Sequence, residues 1–118
     1  IQINMTPINI AQLYFDWSNL SDFDRIQSLF KDNTTYKSGS GEMFIGVKDI
    51  MAMQRSYHLS FKSLNWHINS INEIKPGIIL IDFDFKAESL QGNHVSYSGL
   101  ETIITSQEKI QHIDVNRK

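Results

Sequence analysis

The 118-residue chain contains no cysteine, which excludes disulfide bonds, thiol catalysis and thiolate metal ligands. It has only two prolines and no run of about 18 apolar residues, the length that a membrane-spanning helix needs. Positive charge is also scarce, because 11 lysines and arginines stand against 13 aspartates and glutamates, a net charge of −2. A nucleic-acid partner would require a basic stripe. We therefore expect neither a nucleic-acid nor a membrane partner.

The rest of the composition is typical of one globular domain. Apolar residues make up 41% of the chain and charged residues 20%, a balance found neither in disordered nor in fibrous chains. This length is large enough for one hydrophobic core and too short for two, so residues 1–118 are predicted to form a single domain. No signal peptide is visible, and we expect a soluble, cytoplasmic protein.

The beginning of the chain has the spacing of two short amphipathic helices. Thr6-Pro7 predicts a helix start, because a hydroxyl can cap the free amides and proline suits the first helical position. Ser21 is predicted to end this helix and to cap the next one. The apolar stripes are Ile10, Leu13, Tyr14, Trp17 and Leu20 in the first helix, and Phe23, Ile26, Leu29 and Phe30 in the second.

The remaining sequence predicts a short hairpin, a long helix and four long strands. Residues 33–38 and 42–46 are predicted to form the hairpin around the turn at residues 39–41. The long helix is predicted over residues 47–64. The four strands are predicted over residues 65–74, 78–88, 94–105 and 109–116, and the tight turns between them indicate an antiparallel meander.

The strand that begins at Ile78 has apolar residues on both faces. Phe83 and Phe85 share one face, which we assign to the helices, whereas Ile78 and Leu80 lie on the other. A sheet with apolar patches on both faces needs a second partner, and the simplest is another copy of the chain. We therefore expect a homodimer to which Ile78 and Leu80 contribute.

This order of elements resembles the nuclear-transport-factor-two-like superfamily, which includes ketosteroid isomerases and SnoaL-like polyketide cyclases. The resemblance covers essentially the whole chain and is carried by residues 14–32, 44–50, 97–99 and 108–110. It implies an α+β fold, a cone-shaped barrel in which three helices from the N-terminal half pack on a curved antiparallel sheet. It also implies an apolar cavity between the helices and the sheet.

The ketosteroid isomerase site maps only in part onto this sequence. Its chemistry needs a carboxylate base and two donors that hold an enolate oxygen. The resemblance puts the oxyanion tyrosine on Tyr14, the base on Ser38 and the second donor on Leu100, or on Glu101 after a one-residue slip. Serine has no basicity at neutral pH without a partner. Steroid-type isomerisation is therefore disfavoured.

We expect the polar and aromatic candidates to converge on one cavity. His58 is the predicted proton acceptor, because histidine titrates near neutral pH, while Tyr14 donates to a developing oxyanion and Ser38 is the third catalytic candidate. Glu101 and Asp114 are further candidates: either could act as an acid or a base if its side chain faces the cavity side of the sheet. The four histidines lack metal-ligand spacing, so no metal site is expected. We also expect no cofactor. The predicted ligand-contacting residues are Trp17, Tyr36, Phe61, Phe83, Phe85 and Leu100.

Two functions are compatible with the sequence. One is a protein that binds a small apolar, oxygen-bearing molecule, and acts as an isomerase, cyclase or dehydratase if it is an enzyme, because aromatic walls with few polar groups are typical of ligand sites. The other is a non-catalytic dimerisation or protein-interaction module, because Ser38 occupies the position of the base.

Overall fold

The computed structural model describes residues 5–118, which form three helices and six strands. None of the helices in this range is long and apolar enough to cross a membrane. The helices are α1 (Pro7–Asn19), α2 (Phe23–Ser28) and α3 (Val47–Leu59). The strands are β1 (Phe30–Lys37), β2 (Met43–Ile45), β3 (Phe61–Lys75), β4 (Ile78–Ser89), β5 (His94–Ser106) and β6 (Lys109–Arg117).

The helix starts agree with the sequence at α1 and differ from it at α2. The Asn9 N–H donates to Thr6 Oγ1 at 3.2 Å, so Thr6 caps α1 as predicted. The cap of α2 is Asp22, whose Oδ1 accepts from the Arg25 N–H at 3.3 Å, and the prediction of Ser21 was wrong. Ser21 has a φ of 52°, outside the extended conformation that a capping residue normally adopts.

Helix α3 is shorter than the range predicted from its apolar stripe. It ends at Leu59, and Phe61 and Leu64 belong to β3, which pairs with β4 along nearly its whole length. Extending the helix to Leu64 would remove the first residues of β3 from this pairing. The long-range hydrogen bonds of the sheet therefore override the local helical periodicity.

The strands form one mixed sheet in the order β2-β1-β6-β5-β4-β3. Strands β3 to β6 are the predicted antiparallel meander, whereas β1 pairs in parallel with β6 and antiparallel with β2. The sheet is thus not purely antiparallel, and it is not closed into a barrel, because β2 and β3 are its edges. The predicted α+β class, three helices packed on one sheet, is confirmed.

Alternation along the strands separates an inner face, which the helices cover, from an outer face. Phe83 and Phe85 of β4 are buried on the inner face, whereas Ile78 and Leu80 lie on the outer face and are half-buried. Gly99 of β5 is opposite Phe83, and a Cβ there would be 2.7 Å from Phe83 Cζ. Glycine at this position therefore allows the Phe83 ring to lie directly against the sheet.

Candidate functional site

A cavity of about 110 Å³ lies between the helices and the inner face of the sheet. Its lining residues on α1 and in the middle of the sheet are buried, whereas Gly39 and Arg117 are exposed, so the cavity opens at Gly39 and Arg117. The lining residues are Tyr14, Phe15, Ser18, Tyr36, Ser38, Gly39, Met53, Gln54, Tyr57, His58, Trp66, Phe83, Tyr97, Glu101, Val115 and Arg117.

Five of the predicted site residues line this cavity. The polar ones come from four elements: Tyr14 from α1, Tyr36 from β1, Ser38 from the turn that follows it, and His58 from α3. Phe83 is the fifth. The structure thus brings these side chains together, while their roles in binding and catalysis stay predictions.

Phe61 and Phe85 do not line the cavity. Phe85 is completely buried, and its ring packs 5.6 Å from that of Phe61 and 4.8 Å from that of Trp66. Trp66 and Tyr57 occupy the lining positions in their place. Phe61 was assigned to α3 from the sequence, and its placement in β3 moves it away from the predicted wall.

Leu100 and Trp17 also lie outside the lining. Leu100 precedes Glu101 in β5, so alternation puts it on the outer face, opposite Asp82 of β4. Trp17 is half-buried at the surface of α1, where the Arg25 guanidinium is 5.8 Å from its ring centroid. The turn of α1 that carries Tyr14 and Ser18, rather than Trp17, faces the cavity.

Glu101 is the carboxylate that faces the cavity. Its side chain is 5% exposed, and its Oε2 has no hydrogen-bond partner among the described residues. Burial raises the pKa of Glu101 to about 8, because the charged form is poorly solvated there. The carboxyl is therefore mostly protonated at neutral pH. Asp114, the other open candidate, is directed away from the cavity and accepts from Lys37 Nζ at 3.3 Å.

Tyr14 is oriented by helix α3. Gln54 Nε2 donates to the Tyr14 hydroxyl at 2.6 Å, so the phenolic proton remains available for another acceptor. Burial, together with the nearby Tyr36 and Glu101, raises the pKa of Tyr14 and keeps it protonated. The second side-chain polar atom of Gln54, Oε1, is buried without a partner. Two residues of the lining, Gln54 and Glu101, thus each have a buried side-chain oxygen without a hydrogen-bond partner.

The His58 ring is buried between two aromatic rings and contacts Ser21 in the turn between α1 and α2. Its Nδ1 is 2.8 Å from Ser21 Oγ, and its ring centroid is 4.9 Å from that of Phe23 and 5.3 Å from that of Trp66. Burial lowers the pKa of His58 to about 4. The imidazole is therefore neutral at pH 7 and is a weak base, which weighs against the predicted role as proton acceptor.

Ser38 is part of the turn between β1 and β2. Its Oγ accepts from the Glu42 N–H at 3.1 Å and is 2.9 Å from Ser40 Oγ. These are the contacts of a turn-stabilising serine, and neither partner is a base that could activate the hydroxyl. Its position in the lining favours ligand contact over nucleophilic chemistry.

The polar groups of the cavity suit an organic ligand. Within residues 5–118, no three histidine, aspartate or glutamate side chains come together in a way that could hold a metal ion. Glu101 is the single carboxylate in the lining, and aromatic side chains surround it: Tyr14, Tyr36, Tyr57, Trp66, Phe83 and Tyr97. An apolar wall with a few polar groups is the usual make-up of a small-molecule site.

Glu101 has a recognisable signal in the sequence, although only the structure settles its orientation. Val95, Tyr97, Gly99, Glu101 and Ile103 alternate along β5, and in the structure Gly99, Glu101 and Ile103 are buried. Alternation would predict Glu101 on the side of Ile103. The sequence alone does not show whether that side is the inner one, because Leu100, Thr102 and Ile104 form an equally regular set.

No family model and no curated protein matches the sequence. Solved structures do match over nearly the whole chain. A nuclear-transport-factor-two-like protein of unknown function from Exiguobacterium superposes with a TM-score of 0.84 at 16% identity, covering 92% of this chain and 98% of its own. A candidate SnoaL-like polyketide cyclase from Shewanella putrefaciens superposes with a TM-score of 0.83 at 8% identity, covering 94% and 88%.

A third similar structure contains a small molecule. It is a hypothetical protein with a ketosteroid-isomerase-like fold from Catenulispora acidiphila in complex with trimethylamine, with a TM-score of 0.82, 13% identity and coverage of 94% and 85%. These likenesses show that the chain has the nuclear-transport-factor-two-like fold predicted from its sequence. At such low identities they show the fold alone, and function depends on the side chains in the cavity.

Proposed function

We propose that the protein binds a small apolar, oxygen-bearing molecule in this cavity and acts on it by acid–base chemistry without a cofactor. The observation that carries the proposal is the unpaired, buried carboxyl of Glu101 inside an aromatic cavity. A buried polar atom without a partner costs free energy and calls for a specific reason, and a ligand is one. A carboxyl whose pKa lies near working pH is also suited to proton transfer.

The proposed reaction moves one proton between Glu101 and a carbon next to a carbonyl group of the ligand. The ionised carboxylate takes the proton, and the electron pair of the C–H bond moves onto the carbonyl oxygen. Tyr14, held by Gln54, donates a hydrogen bond to this developing oxyanion. In a ligand with a carbon–carbon double bond next to that carbon, Glu101 returns the proton to the far end of the dienolate and completes an isomerisation. In a ligand with a hydroxyl one carbon further from the carbonyl, the carbon–oxygen bond breaks and Glu101 gives its proton to the departing hydroxide, which leaves as water.

Two further observations support a ligand site. Burial raises the pKa values of Tyr14 and Tyr36 and keeps both hydroxyls protonated as donors, and both side chains line the same cavity as Glu101. The similar protein from Catenulispora acidiphila forms a complex with a small molecule, trimethylamine. His58, the alternative acceptor, is bound to Ser21 and has a lowered pKa.

The test is hydrogen–deuterium exchange of cyclic ketones in heavy water, followed by NMR. The protein is expected to accelerate exchange next to the carbonyl, and Glu101→Gln to slow it by about 100-fold or more. Asp114→Asn, the matched change of a carboxylate on the outer face, should leave the rate unchanged. Equal rates with and without protein across the ketone panel would contradict the catalytic proposal.

We also propose that the chain forms a homodimer through the outer face of the sheet. Ile78 is paired with Ile104 across β4 and β5, and Leu80 and Leu100 lie nearby on the same face, all four only half-buried. A contiguous apolar patch on the surface is typical of a protein-binding face. The alternative function, a non-catalytic interaction module, would use the same face and leave the cavity without a ligand.

Sedimentation velocity at micromolar concentration tests the dimer. The unaltered protein should sediment as a dimer and Leu80→Lys as a monomer, because the variant puts a charge in the apolar patch. Leu90→Lys is the control, since Leu90 is 54% exposed in the turn after β4. A monomeric unaltered protein would overturn the dimer proposal without affecting the cavity.

A further inference from the structure

The positively charged side chain of Arg117 lies at the open end of the cavity. Arg117 is the last residue of β6 and lies opposite Gly99 of β5, on the inner face with Val115 and Glu101. Its side chain is exposed to solvent, yet it is part of the cavity lining. The side chain can therefore contact both water and a bound molecule.

Two neighbours hold the Arg117 side chain in this position. Its guanidinium carbon lies over the Tyr97 ring, 4.1 Å from the ring centroid, which is a cation–π contact. Tyr97 is fixed in turn, because its hydroxyl is 3.1 Å from that of Tyr57. On the other side, a Cβ at Gly39 would be 3.0 Å from Arg117 Cγ, so the absence of a side chain at Gly39 makes room for the arginine.

The charge of Arg117 is not neutralised within the described part of the chain. The salt bridges of residues 5–118 join Arg25 to Asp22, Lys37 to Asp114, Arg55 to Asp24 and Lys118 to Asp82, and none involves Arg117. Glu101, the carboxyl in the cavity lining, forms no salt bridge with Arg117 either. The guanidinium retains its five donors for another molecule.

We propose that Arg117 binds a carboxylate group of the ligand at the open end of the cavity, so that the ligand is a small ring-containing carboxylic acid. This inference rests on the proposed function of the cavity and names the class of molecule. The planar fork of arginine matches a carboxylate with two parallel hydrogen bonds. The cation–π contact with Tyr97 restrains the guanidinium, which reduces the entropy lost on binding.

The volume of the cavity limits the size of the ligand. The backbone of Arg117 lies opposite Gly99, two residues before Glu101 on β5, so the two backbone positions are about 7 Å apart along the strand. A cavity of about 110 Å³ is of the order that holds one six-membered ring. A ring with a carboxylate at one end and a hydroxyl or carbonyl oxygen at the other fits this arrangement. Glu101 and Gln54 line the same cavity and are the candidate partners of that oxygen.

Calorimetric titration with para-hydroxybenzoate and para-hydroxybenzamide at pH 7 tests the inference. The two probes have nearly the same shape and carry the same phenol, and they differ in the charge at one end. The protein is expected to bind the benzoate about tenfold or more tightly than the benzamide, as a charge-assisted bidentate contact implies.

Two variants and one control test whether Arg117 is the cause of the preference for the benzoate. Arg117→Gln should remove the preference for the benzoate and leave the affinity for the benzamide nearly unchanged. Gly39→Ala should reduce the preference by displacing Arg117, without altering any charge. Lys118→Gln should keep it, because Lys118 is the adjacent cation but binds Asp82 on the outer face at 2.7 Å.

The outcomes separate this inference from the function on which it rests. A benzoate preference that disappears in Arg117→Gln and persists in Lys118→Gln supports both. Equal binding of the two probes, or a preference that Arg117→Gln keeps, overturns the carboxylate inference while leaving a ligand cavity. Failure of the unaltered protein to bind either probe at millimolar concentration contradicts the small-ring ligand as well as the carboxylate contact.

Discussion

Gln54 on α3 donates a 2.6 Å hydrogen bond to the hydroxyl of Tyr14 on α1. The bond joins two helices across the buried end of the cavity and leaves the phenolic proton free. Gln54 Oε1 and Glu101 Oε2 are buried without hydrogen-bond partners among the described residues. The folded protein thus maintains incompletely paired polar groups next to the cavity, and a bound molecule would supply partners for them.

Removal of the Tyr14 hydroxyl should destabilise the protein. In Tyr14→Phe, Gln54 Nε2 loses its acceptor in a buried place, and we expect a loss of about 1–3 kcal/mol in the free energy of unfolding. The matched control is Tyr36→Phe, because the Tyr36 hydroxyl has no hydrogen-bond partner among the described residues. Urea denaturation measures both. A larger loss for Tyr36→Phe than for Tyr14→Phe would contradict the described hydrogen bond.

Glu101 should make the protein less stable as the pH rises through neutrality. Its pKa of about 8 in the folded state exceeds its ordinary value of 4.5, so the folded state binds the extra proton. The stabilisation is complete below about pH 4.5 and is lost as the pH rises towards about 8, a change on the order of a few kcal/mol. Glu101→Gln should abolish this decline. Parallel stability curves of the variant and the unaltered protein would contradict it.

His58 should have the opposite effect in acid. Its folded-state pKa of about 4 is below the ordinary value of 6.5, so the unfolded state binds more protons between these values. Stability therefore falls as the pH decreases from about 6.5 towards 4. Denaturation midpoints of His58→Gln should show a smaller fall over this interval, whereas His67→Gln, on the exposed side of β3, serves as the control. An unchanged acid dependence in His58→Gln would refute the assignment.

The fold could be predicted from the sequence because its local signals agree. Thr6-Pro7 starts α1, the glycine turns separate the long strands, and the alternation in β4 assigns Phe83 to the inner face. The error in the length of α3 came from long-range pairing. The apolar helical stripe continues beyond Leu59 and includes Phe61. In the structure the residues after Leu59 form hydrogen bonds to β4 as part of β3.

The candidate site was predictable only in part, because it depends on which face of each strand points inward. Tyr14, Tyr36, Ser38 and His58 reached the cavity as expected, since each lies on a stripe that the fold directs inward. The inward orientation of Glu101 could not be decided, because both faces of β5 carry apolar residues. Neither the pairing of His58 with Ser21 nor the position of Arg117 has a local sequence signal.

The account depends most on a Glu101 carboxyl that keeps its proton at neutral pH. A ¹³C NMR titration of the side-chain carboxyl carbon measures this directly, with Glu101→Gln to assign the signal. We predict a midpoint near pH 8, because burial in the cavity raises the pKa. A midpoint near the ordinary value of 4.5 would show a solvated or paired carboxylate and would contradict the buried, unpaired carboxyl on which the proposed function rests.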